Sequence, residues 1–205
     1  MSLGAMGVGG VVLSLVGSGL LRSATAATGS DAARFIESMG DEVLSVLNRP
    51  GLNQAEATAE FGRLFREGFD IPTIGRFVLG RYWNVATPEQ RRDFVSLFEQ
   101  MVINTYARRF SDYSGERFRV TAAREETETD TIVVTEVSQP GNPDAAEVAW
   151  RVRDREQGHQ IIDVIIEGVS MGVTQRQEFS SVIERAGGSI DALLERMRTQ
   201  VAPGP

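Results

Sequence analysis

Side chains able to do chemistry are sparse in this chain of 205 residues. It has one histidine, His159, and no cysteine. Thiol nucleophiles, disulfides, cysteine-ligated zinc or iron–sulfur centres and multi-histidine metal sites are therefore excluded. His159 follows the turn Glu156-Gln157-Gly158, with no serine or acid at a hydrolytic spacing beside it, and a solvated imidazole is the expected role. Asp163 and Glu167 fall on one face of a strand, roughly 13 Å apart at the usual strand rise. That is too far for two carboxylates to share a proton, so salt-bridge or solvated roles are expected. Gly75 and Gly80 flank Arg76-Phe77-Val78-Leu79, but no strand precedes them to make a phosphate loop. The 28 acidic residues outnumber the 21 basic ones for a net charge of −7, which lacks the basic footprint of a nucleic-acid binder. All the basic residues are arginine. The segment Arg76 to Trp83 groups Phe77, Tyr82 and Trp83 beside Arg76 and Arg81. It reads either as a core plug with solvated arginines or as the rim of an apolar cavity with arginines at its anionic end.

The elements that must position these residues follow from periodicity. From Asp31, Phe35, Ile36, Met39, Val43, Leu44 and Leu47 recur at helical intervals, and Pro50-Gly51 ends the run. A second helix is expected from about Asn53 to Gly68, with Phe61, Leu64 and Phe65 on one face. Asp70 caps a short third helix with Pro72 in its first turn. A fourth opens on a Thr87/Gln90 capping box with Pro88 at its first position, and carries Phe94, Leu97, Phe98, Met101, Val102, Tyr106 and Phe110. Ser111 to Gly115 stops it.

Beyond Gly115 the period becomes two. Phe118, Val120 and Ala122, then Ile132 and Val134, then Val148, Trp150 and Val152 alternate with their neighbours. Gln160 to Glu167 is apolar on both faces, with Ile162, Val164 and Ile166 on one and Ile161 and Ile165 on the other. The connections are residues 125–130, the loop 139–144 and the turn at 156–158. Four such strands predict an antiparallel meander covered on one face by the helices. Two amphipathic helices, about Thr174 to Ala186 and Ser189 to Thr199, finish the chain. The fold class is α+β in a single domain.

Met6 to Leu21 is an uncharged apolar run followed by Arg22 and by Ala24-Thr25-Ala26, the small-x-small pattern of a signal-peptidase site. The run is shorter than the ~20 residues of a spanning helix. We therefore expect a signal peptide over residues 1–26 and a mature domain over 27–205, with an uncleaved anchor as the alternative. The opening residues carry no Lys or Arg, which departs from the usual signal pattern.

The run Arg76 to Gly115, with Leu79-Gly80-Arg81-Tyr82-Trp83, Ala86-Thr87-Pro88-Glu89-Gln90 and Thr105-Tyr106-Ala107, resembles the MlaC family. So does Ile162-Asp163-Val164-Ile165-Ile166-Glu167-Gly168-Val169-Ser170-Met171 with Arg176-Gln177-Glu178-Phe179 after it. The resemblance extends over about residues 31 to 199. One departure is His159-Gln160-Ile161-Ile162, where many members have a tryptophan just before the Asp-Val block. The resemblance implies a non-enzymatic periplasmic shuttle for glycerophospholipid, without cofactor and monomeric. Its implied partners are an inner-membrane ABC transporter complex and an outer-membrane lipoprotein–porin complex. It implies a curved antiparallel sheet of four strands or slightly more, with acyl chains inserted between sheet and helices.

On that basis the expected cavity wall is Phe77, Trp83, Phe94, Phe98, Met101, Val102 and Tyr106 from the helices. Ile132, Val134, Val148, Trp150, Val152, Ile162, Val164 and Ile166 are expected from the sheet. Arg76, Arg81 and Tyr82 are placed near the head group. Three other readings stay open: a hopanoid carrier of the same family, a cavity enzyme of the isomerase type with a buried Asp163 facing the pocket, and an interaction module with a solid core.

Overall fold

The computed structural model describes residues 20–110, 115, 117–138 and 146–202, with side chains from residue 31 onward and not at 108–110. The apolar run up to residue 19, the helix stop over 111–114 and the loop 139–144 lie outside the described residues. Helix α1 (Leu20–Leu47) begins earlier than the amphipathic pattern from Asp31 indicates, and it is followed by α2 (Gln54–Gly68) and α3 (Ile71–Leu79). A 3-10 turn, Gly80–Asn84, leads to α4 (Pro88–Phe110). The strands β1 (Arg117–Glu125), β2 (Asp130–Ser138), β3 (Ala146–Arg155), β4 (Gly158–Ile166) and β5 (Val169–Ser170) then precede α5 (Met171–Arg185) and α6 (Ile190–Val201).

Helix starts are set by local chemistry. The Asn53 side chain accepts from the Glu56 amide while the Glu56 carboxylate accepts from the Asn53 amide, a complete capping box. Thr87 and Gln90 do the same for α4, at 3.0 and 3.1 Å. Asp70, Ser170 and Ser189 cap α3, α5 and α6.

The strands form one antiparallel sheet in sequence order, β1-β2-β3-β4-β5. Two irregularities reset its side-chain parity. Between β1 and β2 the register skips Thr121, and between β3 and β4 it skips Ile162. Each skip is a bulge that turns the following side chains to the other face. The face toward the helices therefore carries Phe118 and Val120, then Val133 and Val137, then Val148, Trp150 and Val152, then Ile161, Val164 and Ile166. Ile132 and Val134 point the opposite way: their register partners are Arg124 and Arg151, and Ala122 and Ala149.

Two packed clusters flank the space between the layers. One joins α3, α4, α5 and α6 through residues such as Phe94, Phe98, Phe179, Ile183, Leu194 and Met197. The other sets Ala32 and Ile36 of α1 on Val133, Val152 and Ile161 of the sheet. Gly40 permits the close approach of α1, since a Cβ there would lie 2.5 Å from the Phe118 ring. The corner between α2 and α3 is pinned to β4, where the Asp70 amide donates to the Ile161 carbonyl at 3.0 Å.

Candidate functional site

Between the clusters lies an apolar cavity of about 520 Å³, within the ~300–1,000 Å³ common for small-molecule sites. Its helical wall comes from Met39, Val43, Leu44 and Leu47 of α1, Phe61 and Phe65 of α2, Ile74 and Val78 of α3, and Phe98, Val102 and Tyr106 of α4. Phe118, Val137, Val148, Trp150, Ile161, Val164 and Ile166 form the sheet wall. Trp150 has one polar atom, and that atom is satisfied inside the sheet. Its Nε1 donates to the Thr135 hydroxyl at 2.9 Å, and that hydroxyl donates to the Val148 carbonyl at 2.9 Å. The indole rings can then face the cavity without an unmade hydrogen bond.

Of the residues expected in the wall, Phe98, Val102, Tyr106, Val148, Trp150, Val164 and Ile166 line this cavity. The others lie elsewhere. Phe94 is fully buried against Phe179, ring edge to face at 5.4 Å. Met101 borders a separate groove between α4, α5 and α6. Trp83 is half-buried under the Arg91 guanidinium, 5.5 Å from its ring, and Phe77 is 41% exposed with Arg176 over it at 5.4 Å. Val152 faces the helices but packs into the cluster around Ile36. Ile132 and Val134 are on the opposite face, and Ile162 occupies the bulge. The arginines proposed for a head group are away from the cavity as well. Arg76 is exposed on α3, while Arg81 donates to Glu184 at 2.6 Å and to the buried Tyr82 hydroxyl at 2.9 Å.

The wall residues of α1 and α2 stand in the sequence as ordinary amphipathic faces. Their pattern shows that they are buried; that they border a cavity follows only from where the helices stand.

Asp163 does line the cavity, so its suitability as an acid or base can be judged. Oδ1 accepts from the Val164 and Gly172 amides, both at 3.0 Å, and Oδ2 accepts from the Ser170 hydroxyl at 2.7 Å. The carboxylate thus fastens the start of α5 to β4 and has its oxygens engaged. Glu167 is equally structural. It sits at φ 48°, and its amide and carboxylate bond the carbonyl and amide of Glu147 at 3.1 and 2.8 Å. His159 packs against the Phe35 ring at 6.0 Å and is partly buried, not solvated as its position beside a turn indicates.

Two acids brace the sheet side of the frame. Burial works to raise the Asp70 carboxyl, but the hydroxyl and amide of Thr73 and the Arg155 guanidinium hold it below the ordinary carboxylate value. Asp130 is held low chiefly by Arg153, which donates two bonds of 2.7 Å to it, against the opposing effect of burial. Such paired, hydrogen-bonded acids are held in their charged form.

The family model described as MlaC protein matches residues 37–199. The chain belongs to the MlaC family. A curated relative, the intermembrane phospholipid transport system binding protein MlaC of Haemophilus influenzae, is 24% identical over 132 residues. That alignment takes in 63% of this chain and 61% of the relative, less than two thirds of its length. A phospholipid-binding protein from Ralstonia solanacearum, solved with a phospholipid, has the same fold. It superposes with a TM-score of 0.75 at 23% identity, covering 83% of this MlaC-family chain and 97% of the other. Among the described residues, no helix is long and apolar enough to cross a membrane.

Proposed function

We propose that this protein is a periplasmic carrier of glycerophospholipid. It holds the acyl chains in the cavity between sheet and helices and passes between an inner-membrane ABC transporter complex and an outer-membrane lipoprotein–porin complex. The observation that carries the reading is the 520 Å³ cavity with its almost wholly apolar wall. Left empty, that wall would expose apolar surface to water at about 25 cal/mol per Å². An apolar cargo removes the cost. The Haemophilus relative's transport role and the phospholipid in the Ralstonia structure support the same reading.

The mechanism needs no reacting group. Burying an acyl chain gains about 0.8 kcal/mol per methylene relative to water. A bilayer offers nearly the same gain, so loading and release turn on small differences at the docking partners. The net charge of −7 opposes lingering on anionic membranes, as a shuttle between protein docks requires. Export is proposed through a signal peptide ending near Ala26, with residues 27–205 as the single lipid-binding domain.

Native mass spectrometry of the purified protein, followed by lipid extraction, tests this. Adducts with the masses of diacyl phospholipids are expected. A hopanoid adduct would keep the cavity and replace the cargo. A bare mass that persists after incubation with phospholipid vesicles would overturn the carrier reading.

A further inference from the structure

We infer that the groove between α4, α5 and α6 is the subsite for the polar end of the cargo, its phosphate and head group, an inference that rests on the carrier reading. Besides Trp150, the polar side chains bordering the apolar cavity among the described residues are those of Tyr106, Arg117, Asp163 and Gln175. Strand alternation sets the Arg117 side chain on the sheet face opposite Phe118. The Asp163 oxygens are taken by Val164, Ser170 and Gly172. Tyr106 and Gln175 are different. Together with Val102 they also border a second space, the groove of about 870 Å³ between α4, α5 and α6. At that place one layer of side chains, a sill, separates cavity from groove.

The helices are arranged for such a passage. Helices α4 and α5 meet through Phe98 and Phe179, whose rings stand edge to face at 6.4 Å. Val102 lies one turn after Phe98 and Gln175 one turn before Phe179, so the sill is a turn beyond that contact. One stripe of α5 then runs out along the groove, from Gln175 through Glu178 and Val182 to Arg185, roughly 15 Å at the helical rise. The groove differs from the cavity in kind. Its buried members, Phe179, Leu193 and Met197, are apolar, while its exposed border carries Thr105 and Gln177 and two cations, Arg185 and Arg196, against one acid, Glu178. Arg185 donates to the Ser181 carbonyl at 3.2 Å rather than to a carboxylate. Acyl chains match the first surface, and a phosphate with its head group matches the second, where guanidinium groups supply donors and charge. A phospholipid lying across the sill meets both, with its chains inward toward Trp150 and Val164.

The test follows the two ends of the lipid separately. Delipidated protein is incubated with vesicles containing phosphatidylethanolamine that carries a photoreactive group on its head group, and the crosslinked residues are mapped by mass spectrometry. Labels are expected on α4, α5 and α6 along the groove; labels confined to other surfaces of a loaded protein would overturn the subsite. Thr105 and Gln177 are exposed and border the groove but not the cavity, so a large side chain at either fills the groove alone. Thr105→Trp and Gln177→Trp are expected to lower the phospholipid occupancy read by native mass spectrometry about tenfold, as when hydrogen bonds to a charged group are lost. Diacylglycerol with identical chains, which lacks the phosphate, should stay within about twofold. Unchanged phospholipid uptake by both variants would overturn the subsite, as would a parallel loss of both lipids. Excess inorganic phosphate is expected to leave the crosslinks in place; their loss would make the groove a free-phosphate site and overturn the lipid source. Wild-type protein that takes up neither lipid would instead overturn the carrier reading.

Discussion

Phe94 and Trp150 are both large aromatic residues on inward faces, yet their surroundings differ completely. Phe94 is fully buried, edge-on to Phe179, in the cluster that joins α3 to α6. Trp150 has its polar atom tied to Thr135 and its rings on the cavity. Helix α4 borders both regions, with Phe94 and Leu97 in the filled cluster and Val102 and Tyr106 on the cavity. Filled and open space are thus made from the same residue types. The helix cluster closes because its elements interdigitate. On the sheet side the layers meet at particular points and leave space between them: α1 rests on Phe118 through Gly40, and the α2–α3 corner is fixed to β4 through the Asp70 amide and to β3 through the Asp70–Arg155 ion pair. The exposed ion pairs between helices, Arg63–Glu42 and Arg66–Glu99, add little to this.

The sharpest way to break the contrast is to empty both sides equally. Phe94→Ala creates a void in a filled cluster and is expected to cost about 3–5 kcal/mol. Phe118→Ala removes the same ring from a half-buried position on the cavity wall, widens an existing space and should cost about 2 kcal/mol. Urea unfolding of the two variants measures both, and equal losses would erase the distinction between core and cavity.

Next in size is the frame. Asp70→Asn removes the charge that Arg155 meets and should cost about 2 kcal/mol, the range for a hydrogen bond to a charged group. The pH dependence has a definite sign. Asp70 and Asp130 have folded values below the ordinary 3.8, so their stabilisation is complete above that value and is lost as pH falls through the lowered folded values. Melting temperature should therefore be insensitive to these groups near neutrality and drop in strong acid. In Asp70→Asn/Asp130→Asn that acid-induced drop should be shallower; an unchanged drop would remove these two acids from the frame.

The smallest effect on stability carries the most about function. Val164→Trp fills the cavity from the sheet side. It is expected to lower co-purified lipid severalfold while the circular dichroism stays that of the parent. Undiminished lipid would take Val164 out of the wall.

Much of the fold was legible in the residues. The caps at Asp70, Thr87 and Ser189 mark helix starts because their side chains satisfy amides that no helix can bond internally. The order of strands follows from short connections between runs of period two. The site was less legible. In Ile132-Val133-Val134 every position is apolar, so the alternation has a period but no phase, and the phase implied by Ile132 and Val134 is the wrong one. The true inward residues of β2 include Thr131 and Thr135, polar types that sequence patterning assigns outward. The bulge at Ile162 inverts parity again in β4, bringing Ile161 inward with Val164.

Most elements, their capped ends, the α+β order and the family are written locally, because these depend on interactions within a few residues and on the identity of ordered motifs. Which apolar faces meet and which stand apart is set only once the chain has folded. Hydrophobicity drives a side chain out of water without specifying what it will touch. Whether Val164 or Leu44 ends in a packed core or on a cavity wall depends on anchors far from it in the chain, such as Asp70 on Ile161 and Gly40 on Phe118.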